Sequence, residues 1–208
     1  MVTVVIVAGL IGFYIAHLVG APTPVAAIET SSGRAQLTLQ TVAAVGPKGG
    51  SPDWVSYLVR DKGQWKHSTV FDLPAHSLVH VTIYQYDGQS GLRNPFLAQA
   101  RGTVGNVMAV NGKTIKTIDP EAASHTFAVP QLGLIVPLLG IADDAKNPCD
   151  AAPCSQSQAH ETISFTFRTG KPGRYRWQCF VPCAAGFLDG FGGPMQTIGY
   201  MDGFLHVV

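Results

Sequence analysis

GRYRWQCFVPC, residues 173–183, opens as a strand and ends in two cysteines, Cys179 and Cys183, with three residues between them. Strand residues such as Tyr175 and Trp177 lead directly into the first sulfur. A Gly-rich loop follows, and the next methionine is Met195. A strand that delivers one cysteine into a loop holding a second cysteine and a methionine places three sulfurs near one strand end. The rest of the chain decides what kind of scaffold carries them.

Working outward, the other segments read as strands. LVHVTIYQYD (78–87) alternates, with Val79, Val81 and Ile83 on one side and His80, Thr82 and Tyr84 on the other. AQLTLQTVAAV (35–45) and DWVSYLV (53–59) are β-prone, and NVMAVNGKTIKTI (106–118) contains an Asn-Gly step that signals a hairpin. SHTFAVPQLGLIVPLLG (124–140), ETISFTFRT (161–169) and GYMDGFLHVV (199–208) complete a set of about eight strands. Gly (23) and Pro (14) are plentiful, as an all-β domain rich in turns requires.

The bulk numbers exclude several functions. Charged residues make up 13% of the 208, against a usual share of about 25%. A net charge of +1 gives no field for nucleic acid. No Ser/His/Asp order and no paired catalytic carboxylates occur. The run GFGGP (190–194) lacks the strand-to-helix setting of a phosphate loop.

VTVVIVAGLIGFYIAHLVG (2–20) is almost wholly apolar, and a spanning helix needs about 20 such residues. The expectation is a transmembrane anchor over 1–21, a linker over 22–34 and a β domain over 35–208. The β domain is expected on the periplasmic or extracellular side of the membrane. A cleaved leader is the competing reading, because Val25, Ala26 and Ala27 resemble a cleavage site, although no Lys or Arg precedes the apolar run. In such a compartment Cys149 and Cys154, close together in NPCDAAPCSQ, are expected to form a loop-closing disulfide.

Two motifs carry a resemblance. His125-Thr-Phe-Ala-Val-Pro-Gln-Leu-Gly133 fits H-[ST]-[FW]-x-V-P-x-L-G, and Gly173, Tyr175, Trp177 and Cys179 fit G-x-Y-x-W-x-C. Together with Cys-x3-Cys, they make the chain resemble the cupredoxins, and it looks closest to the soluble domain of cytochrome c oxidase subunit II. The resemblance covers about 70–208, most convincingly 122–138 and 170–183. It implies a Greek-key β-sandwich of cupredoxin type, tethered here by one N-terminal helix. It also implies copper at His125, Cys179 and Cys183, to which this loop could add Met195 as its own thioether, and electron transfer as a subunit of a membrane respiratory complex. Other subunits of that complex and a cytochrome c-like donor would be the partners, and the chain would be at most a non-catalytic part of an oxidoreductase.

The chain departs from that family's two-copper pattern. Phe187 stands where the second histidine belongs, and Gly190 where the methionine belongs. Met201 and His206 lie on the last strand as substitutes. Three states of the cysteines stay open: copper ligands, a Cys179–Cys183 disulfide in a metal-free accessory domain that docks partners, or free buried thiols. Copper delivery to another protein is a further option. His76 and His80, about 13 Å apart if both lie in a strand, are expected to be ordinary sheet residues.

Overall fold

The computed structural model describes residues 2–18, 22–45, 54–149, 151–183 and 193–208. Helix α1 (Val2–Leu18) comes first. It is followed by β1 (Val25–Ala26), β2 (Ile28–Ser31), β3 (Arg34–Val45), β4 (Trp54–Asp61), β5 (Gln64–His67), β6 (Val70–Leu73) and β7 (Leu78–Gln85). Then come β8 (Met108–Val110), β9 (Lys113–Ile115), β10 (Ala123–Val129), β11 (Leu134–Leu139), β12 (Glu161–Arg168), β13 (Gly173–Gln178) and β14 (Asp202–Val207). One sheet runs β1-β6-β14-β13-β10-β11 and the other β5-β4-β3-β7-β12-β8-β9, with β2 on β3. Neighbours such as β6 and β14, or β3 and β7, are distant in sequence, so the chain crosses between the sheets repeatedly.

The alternation in β7 has a physical cause. Val79, Val81 and Ile83 are fully buried between the sheets, whereas His80 is exposed on the outer face. Their partners Phe167, Phe165 and Ile163 on antiparallel β12 are also buried. The Asn-Gly step behaves as its chemistry requires: Asn111 and Gly112 take φ of 50° and 80°, and β8 pairs antiparallel with β9 across them.

The core centres on Trp177, stacked near Phe127 and Phe71 and edge-on to Tyr57. Its indole N–H donates to the Thr69 carbonyl at 2.9 Å. Gly203 pairs with Trp177 across β13 and β14, and a Cβ there would meet Thr69 O at 1.9 Å. That position therefore excludes every side chain.

The transmembrane expectation over 1–21 is corrected. Helix α1 has 17 residues, about 26 Å at 1.5 Å each, which is short of a bilayer core of ~30 Å. Among the described residues no helix is long and apolar enough to cross a membrane. Apolar composition predicted a span, but the described helix covers Val2–Leu18, residues 1 and 19–21 lie outside the described residues, and Pro22 and Pro24 oppose extension beyond them. Within 22–34, expected as a linker, β1 pairs with β6 and β2 with β3.

Cys149 and Cys154 form a disulfide, with Cα atoms 5.8 Å apart. Their loop is not simply exposed. Cys154 is buried, and the Gln40 amide bonds both its N–H (2.8 Å) and its carbonyl (3.0 Å), docking the loop on β3.

His67, closing β5, gives the first prediction. Its Nε2 bonds Gly199 O and lies 2.8 Å from Ser56 Oγ. Burial pushes its pKa below 6.5, and the Gly199 carbonyl only partly opposes this. The unfolded chain therefore takes up a proton near pH 6.5 that the native state refuses. The contribution of His67 is present above about pH 6.5 and is lost as pH falls through the native value. Urea midpoints of the wild type should fall on acidification from neutral pH more steeply than those of His67→Gln. Parallel pH profiles would refute this.

Candidate metal centre

The site begins where a ladder stops. β10 and β13 pair at Ala128 and Gln178, and at the next residue the chain leaves β13. Cys179 Sγ then takes the hydrogen bond that a strand carbonyl would otherwise accept, from Thr126 N–H at 3.4 Å. Cys179 N–H donates to Met201 O at 2.9 Å, which ties the loop to the approach of β14. His125, one residue before Thr126, enters the same space from β10.

Three donors converge. His125 Nδ1 lies 2.9 Å from Cys183 Sγ and 3.8 Å from Cys179 Sγ, and the two sulfurs are 3.0 Å apart. All three side chains are buried. Among the described residues they form the one group of three His, Cys or acidic side chains whose donor atoms lie within 4.8 Å of one another. Met195, in the short turn Pro194–Gln196, accepts the Cys183 N–H on its sulfur at 3.4 Å and so flanks the cluster.

The two cysteines are free, so of the three states left open the Cys179–Cys183 disulfide is not the one found. Each sulfur has a backbone neighbour: Cys179 accepts from Thr126 N–H, and Cys183 Sγ lies 2.9 Å from Val181 O. Met201 is buried in the core, and His206 pairs with Asp72 at 3.3 Å near the far end of β14, so neither joins the cluster. His76 lies in the turn before β7, and His80 faces Thr166 at 3.1 Å. Phe187 and Gly190 lie outside the described residues.

The residue that motif reading misses is Asp87. Its Oδ2 lies 2.8 Å from His125 Nε2, on the side of the ring away from the sulfurs. A signal existed in the sequence. Continuing the inward phase of β7 through Val79, Val81, Ile83 and Gln85 leads to Asp87, an ionisable residue on the core side.

The electrostatics are strongly polarised. Burial opposes charge on His125, but hydrogen bonds and charges from Asp87 and Cys179 prevail and raise its pKa to about 9. Burial also opposes charge on Cys179, yet hydrogen bonds from Cys183 and His125 hold it as thiolate, well below the usual thiol range. Burial and the adjacent Cys179 push the Cys183 thiol up. Asp87, despite its burial, is held below its ordinary range by His125.

This donor set suits a soft ion. Thiolate, imidazole and thioether together match copper, and buried donors with one imidazole already hydrogen-bonded from behind are how metal ligands are usually supported.

No family model and no curated protein matches the chain. Solved structures of rusticyanin are among the structural neighbours. A structure of the copper protein rusticyanin shares 16% identity over 97% of this chain and 94% of its own, with a TM-score of 0.35. A rusticyanin structure from Thiobacillus ferrooxidans shares 14% identity over 96% and 93%, with a TM-score of 0.34. Likenesses this distant establish no chemistry for this chain, and they lend no support to the oxidase subunit resemblance.

Proposed function

We propose that the chain is a cupredoxin-type electron-transfer protein holding a single copper ion. His125, Cys179 and Cys183 are the ligands, and Met195 is a weak thioether donor beside them. The observation that carries this reading is the convergence of one imidazole and two sulfurs in a buried pocket at a sandwich end. Copper there would supply one-electron chemistry between Cu(I) and Cu(II). The protein's own part is to fix donors from one strand and the segments that follow β13 in a packed core and to exclude water.

A two-copper centre fits less well, because Phe187 replaces the second imidazole of that pattern. The partner we assign is a small redox protein of the cytochrome c kind, on the motif resemblance at 122–138 and 170–183.

The test is copper titration of the reduced protein without oxygen, followed by oxidation. One equivalent bound, an intense sulfur-to-copper absorption band and a one-copper paramagnetic spectrum are expected. No bound copper, together with loss of both free thiols on oxidation, would overturn the reading and favour a metal-free accessory domain.

A further inference from the structure

The geometry points to Asp87 as the positioning residue that presents Nδ1 of His125 to the copper ion and sets the ion's reduction potential. This rests on the copper reading above.

An imidazole buried on a strand can rotate about its side-chain bonds or present either nitrogen. Asp87 removes both freedoms. Its Oδ2, 2.8 Å from Nε2, accepts the N–H there and leaves Nδ1 directed at Cys183 and Cys179. The carboxylate is itself immobilised. Its Oδ1 accepts Gly88 N–H at 2.8 Å, while the Asp87 backbone carbonyl accepts Ile141 N–H at 3.0 Å and Gln85 Nε2–H at 3.3 Å. Ile141 follows β11, the strand paired with β10, so both ends of the Asp87–His125 contact are anchored to the same corner of the sandwich. The Asp87 side chain is 28% exposed against 3% for His125, so its negative charge lies only partly screened behind the ring.

Outer partners of metal-bound histidines fix the ring and raise its basicity. A carboxylate in this position also favours the more highly charged copper. Removing its charge therefore raises the reduction potential.

The experiment compares wild type, Asp87→Asn and Asp87→Ala for Cu(I) affinity by chelator competition, for reduction potential, and for the exchange-protected Nε2–H proton of His125 by NMR of the Cu(I) form. Asp87→Ala should weaken Cu(I) binding by about 10- to 100-fold and lose the protected proton. Asp87→Asn keeps an acceptor of the same shape without the charge. It should retain the proton and most of the affinity while its potential rises. If Asp87→Ala is too unstable to load, the potential of Asp87→Asn carries the test, and an unchanged potential overturns the assignment. Affinity of Asp87→Ala within about twofold of wild type also overturns it, since positioning partners contribute far more. A wild type that binds no copper removes both the copper reading and this one, whereas a normal wild type with indifferent variants removes this one alone.

Discussion

Cys179→Ser abolishes the sulfur-to-copper absorption band and weakens copper binding by more than about 100-fold, beyond the cost of losing an outer-shell partner. The reason is the division of labour between the two sulfurs. Cys179 is fully buried and accepts the Thr126 amide at 3.4 Å, and its neighbours hold it as thiolate. Cys183 Sγ lies 2.9 Å from Val181 O and 3.0 Å from Cys179 Sγ. Cys179 lies at the strand end with its sulfur fixed by a backbone amide of β10, whereas Cys183 lies four residues further into the loop, so Cys179 is the principal donor and Cys183 the secondary one. Cys183→Ser is therefore expected to keep a coloured, weaker site. Absorption and competition titrations of both variants check this, and an equal loss of colour in the two would contradict the assignment.

Trp177→Ala destabilises the protein by about 3–5 kcal/mol, a large fraction of the roughly 5–15 kcal/mol typical of a domain. The ring is fully buried, with Phe127 at 5.2 Å, Phe71 at 6.1 Å and Tyr57 at 4.9 Å between centroids. Truncation opens a cavity among three aromatic rings. It also strips Thr69 O of the indole N–H, although Phe204 N–H at 3.0 Å still reaches that carbonyl. Collapse into the gap is limited, because the facing residue is Gly203 and the backbone of Thr69 already lies against it. Urea unfolding of the copper-free protein measures the effect, and a loss below about 1 kcal/mol would show that the core repacks.

Some of this was legible residue by residue. The alternation of Val79, Val81 and Ile83 predicted an inward face, and those residues are buried against Phe165 and Phe167. Asn111-Gly112 marked a hairpin, and the spacing of Cys149 and Cys154 marked a short loop that a disulfide closes. The long apolar start was misleading. Hydropathy registers composition, whereas a span also needs unbroken helical length, and the described helix α1 has 17 residues.

For the site, the sequence supplied the donor types, because a motif preserves local spacing along a strand and its following loop. It offered His125, Cys179, Cys183 and Met195 as one ligand set without giving their geometry. Two matters needed the folded molecule. The contact of Asp87 with His125 joins residues 38 apart in sequence. The approach of Met195 to Cys183 spans 12 residues and a Gly-rich loop. Strand periodicity tells which face a side chain takes, and continued two residues past β7 it points Asp87 to the core side, a step the motifs did not prompt. What it meets there depends on how two sheets are stacked and registered, and only the tertiary structure fixes that.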